Sequence, residues 1–395
     1  MTGKVRRWTP MPVSGCDDSK KDMRRLIVKE DRCMYQFSFA FPVDGVMLTE
    51  AAGKKVGDGL QINCIVNAEP GKTITVNGAA CIAGNNDYRV PLLLKGGRNL
   101  VWAVDEETGS RTTMEVYYLK NAYKKYRFSL DDNIWFLQNI ARHQNQYTSL
   151  FEDPYLALIK SMHDRYGTKF HLNIYYECPE FGGFRLTDMT DKFKPEWQYH
   201  ADWLRLSFHA SANLPDRPYI RATYRQMKYE HDRVAEQIIR FAGEDTFAGP
   251  VTTVHWGDAT VEAVRALRAG GVRIFVGSFE YADPNNTPIR YYLNAGQCAL
   301  LNIYGMYYDK QEDVAFVRYG AMMQHLDVNR IPGAFDAFGS RHPLYAFREL
   351  CVHEQYFYPP YDRYMPDYVD RFDTAIRWCV DNGYEPSFLK EALAW

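Results

Sequence analysis

Apolar and polar positions divide the chain into two stretches of different rhythm. From Tyr35 to about Tyr118, short apolar or alternating runs are separated by turn residues: YQFSFAF, VMLTE, LQINCIVNA, KTITVNGAAC, YRVPLLL, NLVWAVDE and TTMEVYYL. Runs of this length and spacing predict a β-sandwich of about seven strands over about 90 residues. Asn77-Gly78 and Gly96-Gly97 mark hairpin turns within it. Residues 1–30, with the run DDSKKDMRR, read as a poorly packed arm or as an edge strand from Leu26 to Val28.

From about Lys124 the pattern alternates apolar strands with helical segments. KYRFSLDD leads into IWFLQNIARH and PYLALIKSMHDRYG; KFHLNIYYE and WLRLSFHAS precede the helix YRQMKYEHDRVAEQIIRFAG. PVTTVHW, the helix ATVEAVRALRAGG and VRIFVGSF follow, then CALLNIYGMYY, a helix over VAFVRYGAMMQHL, LYAFRELCVHEQYF and a closing helix YVDRFDTAIRWCVDNGY. Strands separated by helices of this length predict β/α units with parallel strands, closed most simply as a barrel. The expected organisation is an arm at 1–30, an accessory β-sandwich at 31–122 and a (β/α) barrel at 123–395. In such barrels functional groups stand where strands end and loops begin.

Composition narrows the function classes. Lys and Arg number 47 against 49 Asp and Glu, a net charge of −2, so no basic excess draws the chain to nucleic acid. No run approaches the roughly 20 apolar residues that cross a bilayer. Neither nucleic acid nor a membrane is therefore expected as a partner, while a homo-oligomer stays open. The eight Cys are scattered without a C-x-x-C, which favours thiols and a reducing compartment such as the cytoplasm. MTGKVRRWTPMPVSG lacks the apolar core of a leader, as a trimmed secreted protein also would. Aromatic residues make up 15% of the chain, enough to fill cores and also to line a carbohydrate cleft.

All ten His lie beyond residue 142, so histidine chemistry belongs to the second stretch. Asp131-Asp132 closes RFSLDD just before the helix near Ile134, where two carboxylates can share base and ligand roles or simply cap the helix. His209 and Asn213 stand four apart after the next apolar strand; one helical turn brings such a pair to one side, where it can share a small ion. His255, with Trp256 beside it, and His353, with Glu354 beside it, end further strand-like runs. Each is either a proton donor or a packed core histidine. His163 and His231, among Lys, Asp and Arg in helical patterns, read as solvated.

The order strand-DD, strand-HASAN, TVHWGDATVEAVRALRAGGVRIFVGS and late VH resembles the polysaccharide deacetylase, or NodB-homology, family over about residues 124–395. The resemblance implies a distorted seven-stranded (β/α) barrel. It also implies Asp131 as catalytic base, Asp132, His209 and Asn213 as ligands of a divalent metal, zinc by preference, and His353 as general acid. His255 and Trp256 fall where that family touches substrate. The sequence departs from the family pattern at Asn133, where Gly is expected, at Asn213, where a second His is expected, and at His255-Trp256, where an Arg is expected.

The activity implied is metal-dependent hydrolysis of a carbon–nitrogen bond, foremost deacetylation of an N-acetylated carbohydrate. Two other readings stay open: a glycan-binding protein without chemistry, and a glycoside hydrolase using Glu177, Glu280 or Glu354. The adjacent aspartates themselves suit a glycosidase poorly, because its carboxyls stand about 5–9.5 Å apart across the bond.

Overall fold

A computed structural model describes residues 37–85, 87–280 and 288–394. The arm expected over residues 1–30, with its edge strand, lies outside them. In the first stretch, alternation does what period-two patterning dictates. Along Gly59–Asn67 the side chains of Leu60, Ile62, Cys64 and Val66 turn inward while Gln61 and Asn63 face solvent, and Asp87–Leu94 repeats the pattern. These strands form one five-stranded sheet with Ser38–Phe41, Lys54–Val56 and Ile82–Ala83. A second five-stranded sheet runs Met47–Leu48, Arg111–Tyr118, Gly97–Asp105, Ile74–Val76, Ala79–Ala80. Val101, Ala103, Met114 and Val116 from it share one core with the first sheet. Each fully buried Val or Leu contributes about 1.5–3 kcal/mol. At the predicted hairpin Asn77 and Gly78 take φ values of 49° and 81°, joining Ile74–Val76 to Ala79–Ala80.

The second stretch holds two further sheets. Five strands lie in the order Leu204–Ala210, Phe170–Tyr175, Lys125–Asn133, Arg348–His353, Ala321–Met322, with Glu385–Pro386 pairing beside Lys125–Asn133; every pairing is parallel. A four-stranded sheet runs Val251–Thr252, Ile274–Gly277, Val314–Arg318, Met306–Asp309, the last strand antiparallel. Helices Trp135–His143, Pro154–Tyr166, Tyr224–Ala242, Val261–Ala269 and Tyr368–Asp381 alternate with the strands, as the pattern predicts.

Three expectations are corrected here. Among the described residues no closed strand ladder is detected. Leu204–Ala210 meets the chain just before Val251–Thr252 at one isolated parallel bridge, Leu206 with Phe247, and Val251–Thr252, only two residues long after Pro250, adds no ladder to it. At the other seam the chain crosses between sheets near Gly320, whose N–H bonds Glu349 O at 2.8 Å. The helix expected over VAFVRYGAMMQHL is instead the strand Val314–Arg318 followed by Ala321–Met322. Val314 and Phe316 enter one core while Ala315 and Val317 enter another, so an apolar run with no polar stripe serves a strand buried on both faces. His231 is buried at 3% exposure against Phe208 and Phe247, not solvated, and burial holds its ring below the usual 6.5. His163 is half-buried and stacks on Trp203.

Candidate metal centre

The tips of the parallel strands converge. Lys125–Asn133 pairs with Arg348–His353 up to Asp131 opposite His353, and its register against Phe170–Tyr175 slips between Leu130 and Asn133. At the slip Asp132 takes φ 62°, a left-handed conformation that Asp tolerates better than most residues. This turns the two carboxylates to different places. Asn133, buried, fastens the irregular backbone by donating Nδ2–H to Leu130 O at 2.5 Å and Asn173 O at 3.1 Å.

Helix capping, the alternative task for the aspartate pair, belongs to Glu354. Its carboxylate accepts the N–H groups of Ile134 (2.6 Å), Trp135 (3.0 Å) and Phe136 (2.7 Å), the first N–H groups of the Trp135–His143 helix, and the Tyr358 hydroxyl at 3.0 Å. Burial pushes this carboxyl up to about 8 against the pull of those donors. Glu354 is thus committed to the helix terminus. Of the other two carboxylates named for a glycosidase, Glu177 pairs with Arg185 at 3.1 Å and Glu280 is exposed.

Asp132, freed from capping, meets two imidazoles. Its Oδ1 lies 2.9 Å from His209 Nε2 and 3.2 Å from His255 Nδ1, and these two nitrogens are 3.2 Å apart. All three residues are buried. His209 Nδ1 faces Thr253 O at 2.5 Å and His255 Nε2 faces Asn213 O at 3.1 Å. A carbonyl only accepts, so each ring carries its proton on the outer nitrogen and presents a bare lone pair inward. Backbone carbonyls orient metal-ligating histidines in this way. With both imidazoles neutral, the three inward atoms at mutual hydrogen-bond distance have no proton between them; in the metal-free protein a proton on His209 Nε2, shared with Asp132, fills the gap, and a cation displaces it. A cation satisfies them: ligands at about 2.0–2.1 Å in tetrahedral array are about 3.3 Å apart, close to the edges of this triangle.

Charge at the centre is consistent with that donor set. Although burial raises it, the His353 and His255 charges and the hydrogen bonds from His209 and His255 hold the Asp132 carboxyl well below its usual range. Burial lowers His209, but the Asp132 hydrogen bond and the charges of Asp131 and Asp132 outweigh it and leave the ring above 6.5. Burial and the Asp132 charge keep the Tyr175 phenol well above 10.

Asp131, 2% exposed, accepts from Ser129 Oγ (3.1 Å), Asn173 Nδ2 (2.6 Å), Tyr319 Oη (2.7 Å) and Cys351 Sγ (3.5 Å). Asn213 lies on a loop, since the chain after His209 completes a strand and makes no helical turn. Its side-chain oxygen is 3.3 Å from Tyr175 Oη. His255, expected at the substrate, stands inside the triangle. Trp256 is 38% exposed in a left-handed conformation (φ 67°), with the Arg217 guanidinium 5.4 Å over its ring. His353 Nε2 is 4.0 Å from Asp132 Oδ2, and Gln324 Nε2 lies 2.9 Å from His353 Nδ1. An amide N–H only donates, so the ring proton of His353 is on Nε2, toward the centre. Sequence reasoning missed Tyr175 and Gln324. Tyr175 ends its strand as Asp131-Asp132 and His209 end theirs, and that shared position was the available signal.

No family model matches the chain, and no curated protein matches it. Similar solved structures include a 4-α-glucanotransferase from Thermococcus litoralis, 11% identical, with 69% of this chain and 40% of that one covered and a TM-score of 0.46. A protein of Bordetella bronchiseptica, described as a candidate polysaccharide deacetylase involved in O-antigen biosynthesis, is 10% identical over 69% of this chain and 91% of that one, with a TM-score of 0.30. A candidate α-galactosidase from Bacteroides fragilis is 9% identical over 86% and 79% of the two chains, with a TM-score of 0.26. The chain thus spans less than half of the glucanotransferase. All three are by name proteins that act on sugars; at these identities and TM-scores the overlaps assign no activity to this chain. Among the described residues no helix is long and apolar enough to cross a membrane.

Proposed function

We propose that the protein is a metal-dependent hydrolase of carbon–nitrogen bonds that deacetylates an N-acetylated carbohydrate, on a β-sandwich followed by an incompletely closed (β/α) barrel of the deacetylase kind. The observation that carries the reading is the buried Asp132–His209–His255 triangle, which turns one carboxylate oxygen and two imidazole nitrogens toward one another while backbone carbonyls hold the outer ring nitrogens. Two imidazoles and one carboxylate suit zinc. Bound there, a divalent ion supplies a Lewis acid that polarises an amide carbonyl and brings the pKa of a water toward neutrality.

The chain's own residues do the rest. Thr253 O and Asn213 O fix the two rings. His353, half-buried with Nε2–H aimed at the centre, passes a proton to the departing amine. Rotating the Gln324 amide presents its oxygen, which has no hydrogen-bond partner, to a ring protonated on both nitrogens. Trp256 offers an exposed aromatic face to a pyranose beside the ion. Asp131, saturated by four donors, holds strand tips together in this reading; the water, acidified by the ion, would lose its proton to solvent, and His353 protonated on both nitrogens would give one to the amine.

The test is acetate release from an N-acetylglucosamine oligomer. The reading expects zinc-dependent release, abolished by chelation and by His209→Ala. Reducing sugar released without acetate would replace it with glycosidase chemistry, and oligomer binding that survives chelation with no product would replace it with glycan binding.

A further inference from the structure

Tyr175 closes the Phe170–Tyr175 strand, is wholly buried, and has no task in the reading above. Its Oη is in hydrogen-bond contact with Asp132 Oδ1, 2.9 Å from His255 Nδ1 and 3.3 Å from Asn213 Oδ1. The ring sits between the two imidazoles, with centroids 5.1 Å from His209 and 5.2 Å from His255. A phenol has one proton and can satisfy one of these three acceptors. The other contacts set oxygen lone pairs against nitrogen or oxygen lone pairs inside the protein, an arrangement that costs free energy. A phenol placed only to hydrogen-bond Asp132 has no need to approach the bare face of His255.

We propose that Tyr175 is the fourth protein ligand of the ion held by Asp132, His209 and His255. The inference rests on the metal reading and deepens it. One cation resolves the contacts among Asp132 Oδ1, His209 Nε2, His255 Nδ1 and Tyr175 Oη, because each of these four atoms then points a lone pair at positive charge, and a turned Asn213 amide then donates to the phenolate oxygen. As the bond from Oη to the ion forms, the O–H bond breaks and its proton leaves to solvent, as for other groups that bind a divalent ion. Catalytic zinc sites commonly carry three protein ligands; a fourth would leave the fifth position, to which such sites expand, for the water that the ion acidifies.

Chelator-stripped wild type, Tyr175→Phe and His209→Ala are titrated with Zn²⁺ for affinity and with Cu²⁺ for visible absorption. The wild type is expected to show a phenolate-to-copper charge-transfer band, a readout that needs no variant. Tyr175→Phe, which removes only one oxygen, is expected to lack the band and to bind zinc more weakly by on the order of 100-fold. Equal zinc affinity and identical copper spectra in wild type and Tyr175→Phe would overturn the ligand role and leave the metal reading standing. A wild type that binds neither ion, or a His209→Ala variant that binds as tightly as wild type, would overturn the metal reading and this inference with it.

Discussion

Two buried polar clusters are built on the same strands, about four residues or 13 Å apart along them, and they differ in where their positive charge comes from. In the deeper one Arg127, on Lys125–Asn133, puts Nε 2.9 and 2.8 Å from the two oxygens of Glu349 on Arg348–His353, and its Nη1 contacts His171 Nδ1 on Phe170–Tyr175. His171 Nε2 continues to Ser207 Oγ at 2.7 Å on Leu204–Ala210. Burial pushes Glu349 up to about 7 against the Arg127 charge, and burial and then that charge keep His171 well below its usual value. At the strand tips the partners are again a carboxylate and imidazoles, Asp132 with His209 and His255. The deeper cluster carries its cation in its sequence; in the reading proposed above, the tip cluster takes one from solution.

The largest expected effect falls on the self-sufficient cluster. Arg127→Met leaves Glu349 buried without its partner and is expected to cost about 3–5 kcal/mol in urea unfolding. A loss under about 1 kcal/mol would mean that the pair is not doing what its geometry implies. His209→Ala, by contrast, is expected to remove zinc with little change in the unfolding midpoint of the metal-free protein.

Next comes Glu354, which ties His353's strand to the helix that follows Asp132. Glu354→Gln weakens three main-chain hydrogen bonds and is expected to cost about 1–3 kcal/mol and to lower kcat with KM nearly constant, because His353 shifts relative to the centre. Unchanged kcat would detach the cap from catalysis.

The pH response separates the clusters further. His209 holds its proton above pH 6.5 in the metal-free protein, and the ion must displace that proton. Zinc affinity is therefore expected to rise with pH through and above 6.5, by up to about tenfold per unit for one released proton, as read by calorimetry. The sign for stability is opposite: a raised histidine pKa contributes stability to the metal-free fold that is fully present below 6.5 and lost as pH rises through the raised value. Affinity flat from pH 6 to 8 would contradict the exchange. The smallest effect belongs to Trp256→Ala, expected to raise KM about fivefold, near 1 kcal/mol of stacking, with kcat kept.

How much of this was legible in the sequence follows from what each feature depends on. Period-two alternation in LQINCIVNA and the strand–helix rhythm after Lys124 are local, and they foretold the paired sheets and the β/α order. The extent of the ladder was not legible, because it turns on Val251–Thr252 pairing with Ile274–Phe275 but forming no ladder with Leu204–Ala210. Asp132 and His209 were legible as strand ends. The choice between Asn213 and His255 was not. It depends on the strand running on through Ala210, which leaves Asn213 in a loop, and on the left-handed turn at Trp256, which swings His255 inward. Glu354 as the cap of a helix 220 residues away, Tyr175 beside Asp132 and Gln324 behind His353 are products of tertiary proximity alone.

The most direct measurement is calorimetric titration of the chelator-stripped protein with zinc, wild type against His255→Ala. One ion per chain is expected in the wild type, with affinity weakened at least about 100-fold in the variant. No binding to the wild type, or equal binding to both, would contradict a cation shared by residues 132, 209 and 255.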